Sequence, residues 1–418
     1  MILPVLNVAF VGSEGLARRL GKRGDVRDVE SYVHKEARDG RTVVLSFLRP
    51  LRHPERLRPL LSVLDVARAG VVEVQRVDAA LGEVLVALGC AGIATGHAVI
   101  APEQGGWVDV DQVRVILGQA GLGGWQVHEG EVDEHALRES LFELQGATSS
   151  EREALEAAPL VLPVDQHFNV KGVGLVAIGY VQSGTVSKHD DVDVLPANET
   201  GVARSLQVMD DDVDAAFAGD RVGLALRNLR EQALHRGCMI TASGSGALVR
   251  HDSSDIDLEP APFQSRELSE GDVVHAAADL QFVVGRVAAA EGRALSVSWD
   301  SPLWLRADDS SRVVLAQLDE DPMRIMGTAS SINPGAQALR GRGHAPARDS
   351  LRPPATQDAA PRLRGRSRPH AAGGHAVRRG VRLRLRRRLR GHDARRRARP
   401  AALPARPVSG GGRRRGPG

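Results

Sequence analysis

The chain has 418 residues, which exceeds the size of one ordinary hydrophobic core and predicts two to four domains. Its formal charge of +3 combines two segments of opposite sign. Residues 331–418 hold 24 arginines and three aspartates, whereas the first 330 residues hold 31 basic and 49 acidic residues. The acidic body is therefore not a general nucleic-acid binder, and we expect no DNA partner.

Lysine is rare, with only four in the chain. An acidic, lysine-poor body is favoured by a cytosol of very high salt, which suggests a halophilic source. A GC-rich genome would also favour arginine over lysine, so both explanations stay open.

Neither a secretion signal nor a membrane span is expected from the sequence. The apolar opening MILPVLNVAFVG lacks a basic region and a cleavage site, so it is predicted to be a buried strand. No apolar run approaches the roughly 18 residues of a transmembrane helix. Cys90 and Cys238 are predicted to be buried free thiols, and no cysteine–histidine cluster suggests a metal site. We expect a cytoplasmic protein without membrane contact.

Residues 1–158 alternate between apolar strands and amphipathic helices. The strands are predicted at Val5–Val11, Thr42–Leu48, Gly70–Val74 and Gly96–Ala101. The helices are predicted at Pro54–Ala67, Ala79–Leu88, Asp111–Ala120 and Asp133–Leu144, with a linker at Glu151–Ala158. This alternation predicts a parallel sheet with helices on both faces.

Residues 159–246 show short stretches in which apolar and polar residues alternate, as in Val192–Leu195. Gly172 and Gly174 interrupt one of these stretches, where a missing side chain permits a bulge or a close backbone approach. Turn signals stand at Ser183–Gly184 and at Asp190–Asp191. The pattern predicts a small antiparallel barrel.

Residues 247–327 are predicted to form a second small barrel. Its strands are expected at Asp272–Ala276, Leu280–Ala289, Ala294–Ser298 and Ser311–Leu318. A charge-rich link from His251 to Glu259 is expected before them, and the last strand is expected to end near Gly327.

Residues 328–418 are predicted to be a disordered, arginine-rich tail. Arg340–Gly418 contains no aromatic residue and shows no helical or strand period, so it cannot bury enough apolar surface to fold. Two explanations stay open. The segment is either a basic tail that binds RNA or the translation of a GC-rich gene in a shifted frame.

Four patterns in the first predicted barrel resemble domain 2 of the translational GTPases. They are F-x-V-K-G-V-G-x-V from Phe168, G-x-V-x-x-G-x-V from Gly179, R-S-x-Q-V from Arg204 and A-G-D-R-V-G-L-A-L from Ala218. The likeness is to elongation factor Tu and the selenocysteine-specific elongation factor, and to archaeal proteins described only as containing this domain. It implies a multidomain fold, with an α/β P-loop-GTPase-like domain followed by two small antiparallel β-barrels.

The resemblance also implies three nucleotide-binding motifs, and the sequence departs from each of them. The phosphate loop G-x-x-x-x-G-K-[ST] aligns from Gly12, which puts Arg18 at the lysine and Arg19 at the hydroxyl residue. The motif D-x-P-G-H aligns with Leu48–Arg52, and N-K-x-D aligns with Ala101–Gln104. We therefore expect loss of GTP binding, magnesium binding and GTP hydrolysis, with no cofactor and no catalytic residue.

Other charged residues of this domain are expected to have ordinary roles. Arg18 and Arg19, near the start of a predicted helix, either attract an anion or form a solvated helix face. Three acidic residues are predicted to be surface carboxylates, and four scattered histidines receive no role. These are Asp65, Asp78 and Glu83, and His34, His53, His97 and His128.

In the family, the second domain helps to hold the aminoacyl end of tRNA and faces the small ribosomal subunit. The positions that match its motif are the RNA-binding candidates of this chain, namely Phe168, Lys171, Gly172, Gly174, Arg204, Asp220 and Arg221. Structural alternatives stay open, with Phe168 as barrel core, the glycines as turn residues and Arg221 as one half of a surface ion pair. Three consecutive carboxylates at Asp210–Asp212 lie where a tRNA-facing loop is expected and would repel phosphate.

Three functions follow from this reading. The first is an elongation-factor-like protein that binds aminoacyl-tRNA, the ribosome or both without hydrolysing GTP. The second is a scaffold that docks on the ribosome or on another translation factor without any nucleotide. The third and least favoured is an active GTPase with an unconventional phosphate loop.

Overall fold

A computed structural model describes residues 5–38, 40–147, 149–319 and 323–335 of the chain. Most of the predicted arginine-rich tail, residues 336–418, lies outside the described residues. In the part of the chain that is described, no helix is both long and apolar enough to cross a membrane.

The first domain is an α/β domain built on a seven-stranded sheet. Its strands are β1 (Val5–Val11), β2 (Lys22–Val26), β3 (Val29–Arg38), β4 (Arg41–Pro50), β5 (Ala69–Val74), β6 (Gly96–Ile100) and β7 (Gln126–His128). Its helices are α1 (Glu14–Leu20), α2 (Arg58–Leu64), α3 (Ala79–Cys90), α4 (Val110–Gln119), α5 (Glu134–Ala147) and α6 (Ser149–Ala157). The strand order is β2-β3-β4-β1-β5-β6-β7.

This sheet is mixed, so the prediction of a parallel sheet was wrong at one edge. The five strands from β4 to β7 in that order run parallel, whereas β2 and β3 form an antiparallel hairpin beside β4. All five residues of β2 are exposed, so this strand carries no apolar pattern that sequence analysis could detect. The predicted linker at Glu151–Ala158 is also structured, because most of it belongs to α6.

Apolar side chains cover both faces of the sheet. On one face, Phe10 and Phe47 are fully buried against residues of α1 and α5, such as Leu16 and Leu141. On the other face, α2, α3 and α4 form a larger cluster that continues into the second barrel through Leu280 and other residues. Each of these large side chains contributes about 1.5–3 kcal/mol through its burial.

The first barrel follows the α/β domain. Its strands are β8 (Leu162–Val170), β9 (Gly174–Tyr180), β10 (Thr185–Ser187), β11 (Asp191–Leu195), β12 (Glu199–Val208), β13 (Asp211–Val213), β14 (Ala215–Phe217), β15 (Arg221–Arg227) and β16 (Met239–Ala242). Six of them pair in the order β11-β16-β8-β9-β15-β12, and β12 pairs with β11 to close the barrel. This arrangement confirms the predicted antiparallel barrel.

The second barrel is a closed sheet of six strands. These are β17 (Leu248–Pro260), β18 (Val273–Ala278), β19 (Gln281–Glu291), β20 (Ala294–Arg306), β21 (Val314–Ala316) and β22 (Ile325–Pro334), paired in the order β17-β20-β19-β18-β21-β22. The barrel was predicted, but β17 was not, and the end of the last strand was placed too early.

The predicted charge-rich link from His251 to Glu259 is in fact most of β17. Ile256 and Leu258 are buried, while the acidic residues between and beside them are exposed, so the charges occupy the outer face of a strand. The predicted end near Gly327 was also wrong, because β22 continues to Pro334 and pairs with β17 along that length. The boundary between the barrel and the tail therefore lies after Pro334.

Candidate functional site

In a P-loop fold the phosphate loop follows the first strand. Here the turn after β1 is closed, meaning that it leaves no open loop before α1. Only Gly12 and Ser13 separate β1 from α1, and the Ser13 side chain caps the helix by accepting a hydrogen bond from Leu16 N at 3.2 Å. A phosphate cradle needs several consecutive free amides in a longer loop. This turn is too short to provide them.

Glu73, at the carboxyl end of β5, occupies the space above this turn. Its Oε2 accepts the hydrogen bond of the Ser13 backbone N–H. A Cβ atom added to Gly12 would lie 2.7 Å from Glu73 Cβ, so the two residues pack directly against each other. A carboxylate therefore takes an amide that would face a phosphate, and it places negative charge at that position.

A network of arginine and glutamate side chains fills the adjacent space. Arg49 Nε donates to Gly12 O at 2.7 Å, and Arg49 Nη1 lies 2.9 Å from Glu30 Oε2. Glu30 is buried and also pairs with Arg23 from β2. Burial opposes ionisation of Glu30, but hydrogen bonds from Arg49 and Arg23 keep its pKa below the ordinary value. Arg49 belongs to the segment that aligns with D-x-P-G-H. Through its contacts with Gly12 and Glu30 it holds the turn between β1 and α1.

Arg18 and Arg19 lie on the exposed side of α1. Arg18 Nε donates to Glu14 Oε1 at 2.9 Å, and Arg19 pairs with Glu134 of α5. Both side chains are more than half exposed. Their positions agree with a solvated helix face, the second of the two readings of these arginines.

The hairpin between β8 and β9 brings together five of the seven predicted RNA-binding residues. Gly172 (φ +86°) and Gly174 (φ +102°) adopt the left-handed backbone region that the turn requires. Phe168 is 37% exposed, and Lys171 at the tip is exposed. Arg204 of β12 donates to Val173 O at 2.9 Å and holds the hairpin from the side. Phe168 is therefore not part of the barrel core, and Lys171 is an exposed cation of the same hairpin.

Arg221 and Asp220 lie elsewhere, at the junction of the first barrel with the α/β domain. Arg221 Nη2 lies 3.0 Å from Asp25 Oδ2 of β2 and 3.8 Å from Asp165 Oδ2. Asp220 is buried, and its Oδ2 accepts from Phe217 N at 2.9 Å. Arg221 is therefore one half of an ion pair, as in its structural alternative, and this pair joins two domains.

A cavity of about 370 Å³ adjoins this junction. Three carboxylates and three arginines contribute to its wall, namely Asp25, Asp28 and Asp165, and Arg27, Arg221 and Arg236. Partial burial opposes ionisation of Asp25, but the hydrogen bond from Gln166 and the charge of Arg221 lower its pKa. Arg236 Nη1 lies 2.7 Å from Asp28 Oδ2. The charges of the wall are thus largely paired across the two domains.

Two acidic residues predicted to lie at the surface are instead buried or half-buried between domains. Glu83 is fully buried in α3 and binds Arg324 of the second barrel through the side chain and through Arg324 N at 2.9 Å. His53 Nε2 lies 3.3 Å from Glu83 Oε2. Asp65 accepts from Leu280 N at 2.9 Å, and Asp78 caps α3 through Leu81 N as a surface residue. The predictions that Glu83 and Asp65 lie at the surface were wrong. For Glu83, the sequence signal of burial was an acidic residue within an apolar helical segment.

Two of the histidines without an assigned role form a pair. His97 Nδ1 lies 2.9 Å from His128 Nε2, and Ser140 Oγ lies 3.4 Å from His97 Nε2. Burial and the nearby His128 lower the pKa of His97 to about 4. The described residues contain no group of three or more histidine, cysteine or acidic side chains that could hold a metal ion. His97 is therefore neutral at physiological pH.

Comparison with known proteins identifies relatives for most of the chain. A family model of elongation factor Tu domain 2 matches residues 174–241. An uncharacterized protein of Methanocaldococcus jannaschii is 31% identical over 281 residues, which cover 67% of this chain and 83% of that protein. The selenocysteine-specific elongation factor of the same organism is 41% identical over 83 residues, which cover 20% of this chain and 18% of that protein.

One solved structure with the same fold is translation elongation factor SelB from Methanococcus maripaludis, crystallised in complex with the GTP analogue GppNHp. The match has a TM-score of 0.62 at 18% identity and covers 79% of each chain. At this identity the likeness shows the three-domain fold alone.

Proposed function

This chain belongs to the elongation factor Tu and selenocysteine-specific elongation factor-like family, and we propose that it binds aminoacyl-tRNA without binding or hydrolysing GTP. The Glu73 carboxylate on the Ser13 amide carries the loss of nucleotide binding, and the exposed Lys171 of the hairpin between β8 and β9 carries RNA binding. We expect the protein to act in the cytoplasm, with the ribosome as a further partner.

Electrostatics supports the loss of nucleotide binding. A phosphate placed at the turn after β1 would come close to the Glu73 carboxylate, which already uses the Ser13 N–H. Two like charges about 4 Å apart repel by about 4 kcal/mol at an effective dielectric constant of about 20. A lysine that could offset this repulsion is missing, because Arg18 at the aligned position points to Glu14 on the helix surface.

The hairpin between β8 and β9 supports the RNA part of the proposal. Lys171 is an exposed cation at a tip made by two glycines, so a phosphate could approach both the ammonium group and the backbone. Phe168 offers an exposed ring on which a base or a terminal nucleotide could stack. Arg221 is removed from this surface by its pairing with Asp25.

Filter binding with aminoacyl-tRNA across a salt series tests the proposal. Lys171→Ala should weaken binding and reduce the slope of log K against log salt by about one. Lys188→Ala is the matched control, because Lys188 lies on the same barrel but is paired with Asp214 at 2.6 Å. Equal effects of the two substitutions would contradict a tRNA site at this hairpin.

A second candidate function is a scaffold that docks on the ribosome or on another translation factor. Phe168 and Val173 expose apolar surface at the same hairpin, at 37% and 40%. Asp210–Asp212 place three carboxylates at the turn before β13 and at the start of that strand. These features suit a protein partner better than phosphate. Two results together would favour the scaffold. The wild-type protein would bind no tRNA in the same salt series, and Lys171→Ala would lose association with the ribosome.

A further inference from the structure

The hairpin between β2 and β3 directs two carboxylates at arginines of the first barrel. Asp25 lies near the end of β2, and Asp28 lies in the turn that follows. Arg221 Nη2 lies 3.0 Å from Asp25 Oδ2, and Arg236 Nη1 lies 2.7 Å from Asp28 Oδ2. One short turn of the α/β domain therefore neutralises two cations of the neighbouring barrel.

This turn supplies most of the negative charge around the two arginines. In the described part of the chain, the other carboxylate within ion-pair distance of them is Asp165 of β8. It lies 3.8 Å from Arg221 Nη2 and 3.6 Å from Arg236 Nε. Those distances exceed the length of a hydrogen bond, and a single carboxylate cannot neutralise two guanidinium groups. Without Asp25 and Asp28, this part of the barrel would be net positive.

Few contacts hold the side chains of the turn in place. All five residues of β2 are exposed, and the register with β3 is interrupted between Arg23 and Val26. The side chains of Asp25 and Asp28 are 40% and 50% exposed, and ion pairs at exposed positions contribute little to stability. Asp28 O accepts from Leu51 N at 2.8 Å. The backbone is thus fixed to the α/β domain, and the carboxylates can rotate toward solvent without moving it.

The cavity of about 370 Å³ at this junction gives a ligand access to both arginines. Small-molecule sites commonly measure about 300–1,000 Å³, so a phosphate group has room there. Arg27 adds a third guanidinium group to the wall, and Gln166 Nε2 donates to Asp25 Oδ2 at 3.0 Å. Once both aspartates rotate away, these donors remain with the single carboxylate of Asp165. Arginine binds phosphate oxygens through paired N–H groups, so the emptied wall suits a phosphate.

We propose that Arg221 and Arg236 form a shielded site for RNA phosphates, and that Asp25 and Asp28 compete with the RNA for it. The inference rests on the proposed RNA binding and adds a regulatory element to it. Strand β8 runs from this junction to Phe168, about 10 Å along the strand. One RNA molecule can therefore reach both the shielded site and the exposed hairpin between β8 and β9.

The competition favours a polyanion over a single anion. An isolated phosphate meets two carboxylates and is repelled by them. An RNA already held at the hairpin presents its phosphates at a high effective concentration, so it displaces the carboxylates from the arginines. The turn therefore selects a ligand that engages both surfaces at once.

Filter binding of aminoacyl-tRNA to the full chain tests the proposal. Asp25→Asn/Asp28→Asn should bind about tenfold more tightly than the wild type, because two exposed ion pairs no longer compete with phosphate. Asparagine keeps the size of aspartate, so the melting temperature should stay close to that of the wild type. Asp28→Asn alone should give a smaller gain in the same direction.

Two further variants separate local competition from net charge. Arg221→Gln/Arg236→Gln, added to the double aspartate variant, should remove the gain. Asp111→Asn/Asp214→Asn is the matched control, because it changes the net charge equally and also frees one cation from each of two exposed ion pairs. This control should leave the affinity for aminoacyl-tRNA nearly unchanged.

A gain that the control shares, or one that survives the loss of both arginines, would assign the effect to net charge and overturn the proposal. Unchanged affinity of Asp25→Asn/Asp28→Asn would also overturn it and would leave the tRNA site at Lys171 intact. If Lys171→Ala bound like the wild type while the gain was observed, the hairpin site would fail and the shielded site would stand. Absence of tRNA binding by every variant would overturn both.

Discussion

Glu73 and Glu83 are acidic residues within apolar segments of the α/β domain, and each makes a polar contact with a residue distant in the chain. Glu73 lies in the strand Ala69–Val74, where it takes the Ser13 amide and closes the phosphate-loop position. Glu83 lies in the helix Ala79–Cys90, where it binds Arg324 of the second barrel. The first carboxylate thus places negative charge at the position of the phosphate loop, and the second binds the α/β domain to the second barrel.

At this scale we predict that Arg324→Met destabilises the protein by about 3–5 kcal/mol, because it leaves the Glu83 carboxylate buried without its main partner. Chemical denaturation would measure the loss. Glu129→Gln is the control, because Glu129 forms an exposed pair with Arg114 and should contribute less than about 1 kcal/mol. A loss of under about 1 kcal/mol in Arg324→Met would mean that the buried pair does not fix the domains.

The same pair predicts a dependence on pH. Burial opposes ionisation of Glu83, but hydrogen bonds from Arg324 and His53 lower its pKa from 4.5 to about 2. The folded state therefore binds fewer protons than the unfolded state in this range, so stability falls as pH falls from about 4.5 to about 2. Without Arg324, Glu83 loses the main hydrogen bonds that lower its pKa, so it should no longer make the free energy of unfolding fall with pH. The denaturation midpoint of Arg324→Met should therefore vary less with pH over the same interval.

Among the secondary-structure elements, the last strand carries a prediction about where the folded body ends. Thr328–Pro334 pairs with β17 and helps to close the second barrel. A chain that ends at Gly335 should keep the wild-type melting temperature, since residues 336–418 have no apolar pattern from which a core could form. A chain that ends at Gly327 should lose several degrees or more, because the barrel opens. Equal melting temperatures of the two truncated chains would contradict this role of β22.

The elements also show what the sequence could and could not predict. The first barrel was predictable because its strands alternate and its turns carry glycines such as Gly172 and Gly174, which the backbone requires. Strand β17 was missed because its exposed face carries Asp255, Asp257 and Glu259, and a high charge density resembles a linker. At the candidate site, the loss of motif residues was visible, but the closure by Glu73 depends on a contact between residues 60 positions apart in the chain.

The whole molecule is three domains joined by specific polar contacts as well as by a shared apolar core. Arg221 binds Asp25 between the α/β domain and the first barrel, and Arg324 binds Glu83 between the α/β domain and the second. One hydrophobic cluster runs through the α/β domain into the second barrel. We infer that this arrangement is kept without a nucleotide, so the surfaces of the barrels stay in a constant geometry.

The α/β domain keeps the fold of a GTPase, and we propose the claim that it has lost its nucleotide site. Calorimetric titration of the purified chain with GDP and with GTP, each with magnesium, measures this loss. The closed turn at Gly12 and Ser13 and the carboxylate of Glu73 predict no heat of binding at micromolar nucleotide. A dissociation constant below about 10 µM, roughly −7 kcal/mol, would contradict the claim.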